Sequence, residues 1–190
     1  MTTRFDVYAV GNALVDLEYR VDDTFLQSQN IEKGVMTLAE ADMQARLLSA
    51  LDNQHTREKQ ASGGSAANSI IAASAFGSRC FYSCKVASDS LGDFYRKDLI
   101  AAGVSTNLQE QRPEGVSGTC VVMVTPDSER TMNTYLGITA DVSVSELDLD
   151  ALRASRWLYI EGYRSAPESA RAPPALARAD ARAAGVSLAR

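Results

Sequence analysis

The chain has 190 residues, 45% of them hydrophobic and 23% charged, which suits a globular fold of one domain with a sizeable core. Its formal net charge of -5, with no lysine/arginine cluster, argues against a nucleic-acid surface, and no apolar run approaches the ~20 residues that span a bilayer. The N-terminus enters a strand-like pattern without a signal-peptide core, so the expected location is the cytoplasm.

Residues 5–11, FDVYAVG, read as a buried strand ending in glycine. LVDLEYRV then alternates, with Val15, Leu17, Tyr19 and Val21 on one face and Asp16, Glu18 and Arg20 on the other. Thr37 and Glu40 have capping-box spacing ahead of Met43, Leu47 and Leu51, which repeat as on a helix. That helix runs out into DNQHTREKQ, a polar loop where the single histidine, His55, is expected to be solvated. A serine–histidine–acid triad is thereby excluded. Ala66–Phe76 reads as a mostly apolar, buried helix, and a strand is expected at Phe81–Val86. Leu91, Phe94, Tyr95 and Leu99 form a helical stripe stopped by Gly103. SGTCVVMVTPDSERTMNTYL reads as a hairpin about Pro126–Asp127. A short helix in SELDLDALRAS, a strand in WLYIEG, a helix opened by Pro173–Pro174 and stopped by Gly185, and a last strand in VSLAR complete the order.

The three cysteines suggest neither a disulfide framework nor a zinc pattern. Cys80 and Cys84 fall on one side of an expected strand, with α-carbons about 13 Å apart, too far to bridge. Buried thiols acting as small apolar residues are expected. The alternation of strands and helices predicts an α/β fold with a mainly parallel sheet plus an appended hairpin-like piece. The chain stops as one more strand begins, and so reads as the front part of a larger domain.

The stretch SGGSAANSI, residues 62–70, places two glycines directly before a helix. A tight turn, a close helix contact or a ligand lying on bare backbone would each offset the entropy that glycine costs. A phosphate cradle is one option, since a helix N-terminus attracts anions. No Walker pattern and no G-x-G-x-x-G is present, however. Asn68 lies one turn into the helix, and Asn12 and Asp16 lie just past the first strand, where open α/β sheets place ligand contacts. A carboxylate with two asparagines and exposed glycine backbone reads hydroxyl groups, which suits a polyol or ribose better than a phosphate.

Four landmarks in order, GNALVD (11–16), SGGSAANSI (62–70), FYSCKVASDSLGDF (81–94) and SGTCVVMVTPDSERTMNTYLG (117–137), resemble the ribokinase-like, or PfkB, family of sugar and nucleoside kinases. The resemblance runs over the whole chain, and within the family it leans to adenosine kinases. It implies a three-layer α/β/α core with a small β lid drawn from about 15–21, 34–38 and 117–135, all within one incomplete domain spanning 1–190. It also implies that Asp16 binds the ribose 2′ and 3′ hydroxyls, with Gly63, Gly64 and Asn68 on the same sugar and Asn12 lining the pocket. Leu38, Cys120, Met132 and Thr134 would face the base, and Arg130 would approach the transferred phosphate from the lid. The glycines would then be bare so that the sugar can reach main-chain atoms. Met36 stands where some relatives carry a polar base-reading residue, so adenosine, inosine and guanosine stay open.

The family's catalytic aspartate, on a G-A-G-D segment, and its N-x-x-E segment are not found in these residues, so the base is expected beyond Arg190. The resemblance implies ATP and magnesium for the full-length enzyme, a nucleoside or sugar as small-molecule partner, and pairing of lid strands in a homodimer. A ribose or fructose kinase, and a non-catalytic substrate-binding fragment, are the alternative readings.

Overall fold

The computed structural model describes residues 3–161 and 172–189. Two five-stranded sheets organise them. The core sheet has the order β10-β9-β1-β5-β6 and every pairing in it is parallel. Its strands are β1 (Phe5–Val10), β5 (Cys80–Ser83), β6 (Val104–Thr106), β9 (Ser155–Ile160) and β10 (Ser187–Ala189). Parallel strands need cover on both faces, and the sequence supplies it. The helices α3 (Ser65–Ala75) and α4 (Ser90–Ala101) pack Ala66, Ala67, Ile70, Tyr95 and Leu99 against Ala9, Cys80 and Tyr82. On the other face, α5 (Leu149–Arg153) and α6 (Ala172–Ala184) bring Leu152, Ala177 and Ala181 to Phe5, Tyr8, Val10 and Leu158. The core is therefore three-layered.

The second sheet has the order β3-β8-β7-β2-β4 and stands beyond the strand ends of the first. It comprises β2 (Leu14–Arg20), β3 (Met36–Leu38), β4 (Arg57–Gly63), β7 (Gly118–Val124) and β8 (Arg130–Tyr135). The expected hairpin is present: β7 and β8 pair antiparallel about Pro126–Asp127. One face of this sheet carries Leu17, Tyr19, Val121 and Met123, covered by α1 (Asp23–Ser28) and α2 (Ala41–Gln54) through Phe25, Leu26, Leu47 and Leu51. Leu14, Cys120, Val122, Met132 and Leu136 cluster on the opposite face.

Several elements differ from the sequence expectation. REKQASG forms β4, antiparallel to β2, where a polar loop was expected; as an edge strand it keeps its charged side chains in water. Thr37 lies in β3, so no capping box forms, and Glu40 caps α2 without a side-chain bond. The strand expected at Phe81–Val86 stops at Ser83, leaving Cys84 buried just past it. His55 is half-buried, its ring edge-on to Phe25 at 4.8 Å rather than free in solvent. The short elements α1 and β6 were not expected at all. Gly162 and Arg190, placed at the ends of expected strands, lie outside the described residues. Among the described residues no helix is long and apolar enough to cross a membrane.

Asp89 ties α4 to the start of β7. Its Oδ1 accepts from Gly92 N at 2.7 Å, capping α4, and from Ser117 Oγ at 2.7 Å, while Oδ2 accepts from Ser117 N at 2.8 Å, where β7 begins. Ser117 is fully buried, so truncating its partner orphans a buried donor. Asp89→Ala is expected to cost about 2–3 kcal/mol, read as a lowered midpoint in urea unfolding at unchanged slope.

Candidate functional site

The chain crosses between core and second sheet at residues 11–13, leaving β1 for β2, and returns at Gly63–Gly64, leaving β4 for α3. The two crossings touch. Gly64 caps α3 at φ +99°, and a Cβ there would overlap the main-chain carbonyl oxygen of Asn12. Buried groups hold both segments. Tyr82 Oη donates to Asn12 O at 3.1 Å, Tyr95 Oη to Gly63 O at 3.0 Å, and Ala13 N to Thr139 Oγ1 at 2.7 Å. Glu161, directly after β9, accepts from Asn12 N at 2.7 Å through Oε1 and from Ala66 N at 2.9 Å through Oε2.

A cleft of about 260 Å³ opens between these crossings and the inner face of the second sheet. Asn12, Gly64, Ser65, Asn68 and Glu161 line its core side. Leu14, Asp16, Met36, Cys120, Met132, Thr134 and Leu136 line its sheet side. Strand register explains the second set. Asp16 on β2 stands opposite Cys120 on β7, Cys120 opposite Thr134 on β8, and Thr134 opposite Leu38 on β3, so all four belong to one row across the sheet. Thr134 Oγ1 donates to Cys120 Sγ at 3.4 Å.

Burial pushes the Asp16 carboxyl up from its ordinary 3.8 to about 6, against the pull of the Arg130 and Lys59 charges. Burial likewise raises the Glu161 carboxyl, opposed by its bonds from Asn12 N and Ala66 N. Burial also raises the Cys120 thiol, which disfavours a nucleophilic thiolate. The α3 N-terminus, an attractive seat for an anion, already holds the Glu161 carboxylate on Ala66 N. That amide is not open to a phosphate, and the remaining Asp16, Asn12 and Asn68 groups offer hydrogen-bonding partners for hydroxyls.

Of the residues singled out in the sequence, Asn12, Asp16, Gly64, Asn68, Cys120, Met132 and Thr134 meet at this one cleft. Leu38 shares the row but stands 46% exposed outside the lining, and Met36 fills the inner position instead. Arg130 is exposed and lies outside the lining, although its charge reaches Asp16. Gly63 also lies outside; a Cβ there would overlap the Asp16 carboxylate. The fold gives the glycine pair a reason of its own beside the one expected. The protein's own atoms, the Asn12 carbonyl at Gly64 and the Asp16 carboxylate at Gly63, occupy the space of a side chain. Glu161, Ser65, Leu14 and Leu136 were missed. Only the glutamate carried any signal, as an acid closing an apolar strand.

Comparison with known proteins fits this geometry. The profile of the pfkB family carbohydrate kinases matches residues 33–186, and the chain belongs to that family. Adenosine kinase 2 of Arabidopsis thaliana is 32% identical over 118 residues, covering 60% of this chain and 34% of that protein. A probable sugar kinase from Rhizobium etli is 33% identical with TM-score 0.85, over 98% of this chain and 56% of that one. The adenosine kinase from Sinorhizobium meliloti is 35% identical with TM-score 0.84, over 97% and 55%. The α/β fold is thus ribokinase-like, and the chain spans about a third to just over half the length of these relatives.

Two outcomes follow from the geometry. Gly64→Val is expected to unfold the protein or lower its melting temperature by many degrees, because positive φ and the Asn12 carbonyl both oppose a side chain. In the native state Asp16 keeps its proton to about pH 6, whereas the unfolded chain loses it near 3.8. Stability attributable to this group therefore falls as pH rises through that window. Asp16→Asn should melt above the wild type at pH 7.5, with the gap closing by pH 4 in calorimetric scans.

Proposed function

We propose that this chain is the substrate-binding portion of an ATP-dependent kinase that phosphorylates a primary hydroxyl, the 5′-OH of adenosine. The observation that carries this reading is the cleft in which Asp16, Asn12 and Asn68 converge beside apolar Met36, Met132 and Leu136. The ionised Asp16 carboxylate accepts the protons of the ribose 2′ and 3′ hydroxyls, each charge-assisted bond contributing about 1.5–3 kcal/mol. Gly64 and Asn68 flank the sugar, and the Cys120–Thr134–Met132 face receives the base. Burial of the carboxylate sharpens the selection, since leaving it unpaired with a deoxy sugar forfeits its solvation. The adenosine kinases among the relatives support a nucleoside.

The γ-phosphate of ATP would move to the 5′-oxygen, and Arg130, whose charge reaches Asp16, would steer it. Closing the second sheet over the core would exclude water that could otherwise hydrolyse ATP. Among the described residues no three His, Cys, Asp or Glu side chains gather closely enough to hold a metal ion; magnesium would come to the site on the phosphates of ATP. The chain also carries no G-A-G-D segment, and general-base help is worth roughly 10²–10⁴-fold. These 190 residues alone are therefore expected to bind nucleoside without turning over ATP.

A sugar kinase acting on ribose or fructose is the second reading. The likeness to a probable sugar kinase favours it. A small-molecule ligand, a cytoplasmic location and pairing of the second sheet's edge strands in a homodimer belong to the same proposal.

Titration calorimetry with adenosine, ribose, fructose and ATP tests it. Adenosine is expected to bind at least tenfold tighter than either sugar, and Asp16→Asn to weaken it by about 1.5–3 kcal/mol. Tighter binding of ribose or fructose would give the sugar reading instead, and ADP release dependent on nucleoside would overturn the inactivity of the chain alone. Because the bond needs the ionised carboxylate, affinity should fall roughly tenfold per pH unit below about 6 and level off above it.

A further inference from the structure

The second sheet has a cavity on each face, and neighbouring residues of the same strands serve both. On β8, Met132 and Thr134 line the inner cleft, while Asn133 between them lines a cavity on the outer face. On β3, Met36 lines the inner cleft and Thr37 the outer cavity. The outer cavity measures about 370 Å³, within the range of small-molecule sites and larger than the inner one. Residues 29–32, after α1, and Met43, Arg46 and Leu47 of α2 complete its walls.

Its chemistry is unfinished. Asn133 is 3% exposed, and its Oδ1 has no hydrogen-bond partner. Nearby Gln44 is 2% exposed; its Nε2 donates to Thr119 Oγ1 at 3.0 Å and to Asn133 O at 3.3 Å, but its Oε1 is also unpartnered. Buried carboxamide oxygens rarely go without a donor. Arg46 and Glu32 both line the cavity, yet among the described residues neither forms an ion pair. A resident ligand should therefore supply a donor for a carboxamide, an anion for a guanidinium and hydroxyls for a carboxylate, around an apolar body.

We infer that this outer cavity is a second ligand site, for a purine nucleoside monophosphate. The Asn133 carboxamide matches the paired donor and acceptor on an adenine edge, the complement by which asparagine reads that base elsewhere. Ile31, Met43 and Leu47 give the ring its apolar walls, Glu32 takes ribose hydroxyls, and Arg46 takes the phosphate. The choice of a nucleotide rests on the kinase reading above, whose product it would be; the cavity and its unpartnered groups do not. Occupancy would be felt in the inner cleft, because a shift of β3 or β8 moves Met36, Met132 and Thr134 as well.

The test is calorimetry on the full chain with adenosine 5′-monophosphate, using Asp16→Asn to disable the inner cleft and Arg46→Glu, at an exposed position, to disable the outer. The Asp16→Asn protein is expected to keep one monophosphate site, which Arg46→Glu weakens at least tenfold. Arg46→Glu alone should leave adenosine binding at the inner cleft in place. Asn133→Asp serves as a second probe, removing the amide donor while keeping the side chain's size, and should also weaken the monophosphate. Monophosphate binding abolished by Asp16→Asn and untouched by Arg46→Glu would overturn the outer site while leaving the kinase reading standing. Inorganic phosphate binding as tightly as the nucleotide would overturn the assignment of the base. Adenosine binding indifferent to Asp16→Asn would instead count against the kinase reading, whatever the outer site does.

Discussion

The structure depends on the contact between its two crossings, where the Asn12 carbonyl fills the space above Gly64 and Glu161 ties both segments to the end of β9. Any side chain on Gly64 would part them. One carboxylate bonded to the amides of Asn12 and Ala66 fixes the start of the second sheet relative to the start of α3. Asp16 follows Asn12 by four residues and Asn68 follows Gly64 by four, so the positions of the hydroxyl-reading groups descend from this junction. Tyr82 and Tyr95, both fully buried, satisfy the carbonyls that the junction would otherwise strand.

Placing a protein carboxylate on the α3 amide has an electrostatic result. It sets an internal anion against one amide at the favourable end of the helix, which lessens that end's pull on a phosphate in the neighbouring cleft. Asp16 is then a second half-buried acid in the same space, with Arg130 and Lys59 to offset it at a distance. Two acids in one cavity disfavour anions, which is consistent with the neutral, hydroxyl-rich ligand proposed above. This is the physical content of the polyol reading, and the comparisons with sugar and adenosine kinases agree with it.

Much of this was legible in the chain because periodicity and local chemistry carried it. The core strands announce themselves as short apolar runs such as FDVYAV, the hairpin by its Pro-Asp turn, and the cleft by GNALVD and SGGSAANSI. β4 was hidden because an edge strand with one face in water can be written REKQ without cost. The capping-box spacing at Thr37 misled because β3 claims that residue for pairing with β8. Glu161 was hidden for a different reason: it bonds a residue 149 positions earlier, and no local pattern encodes that meeting. The glycine pair was found, but the close approach of the Asn12 carbonyl to Gly64 is something only three dimensions reveal.

The pairing of β2 has a consequence for how the chain assembles. Its antiparallel partner β4 leaves the ribosome soon after it, but its parallel partner β7 begins only at Gly118, about one hundred residues behind Leu14. Loop closure of that span must be bought before its contacts repay it, which slows folding. Until then β2 offers the nascent chain an open ladder of amides and carbonyls, so the strand that carries Asp16 is exposed to mispairing during synthesis.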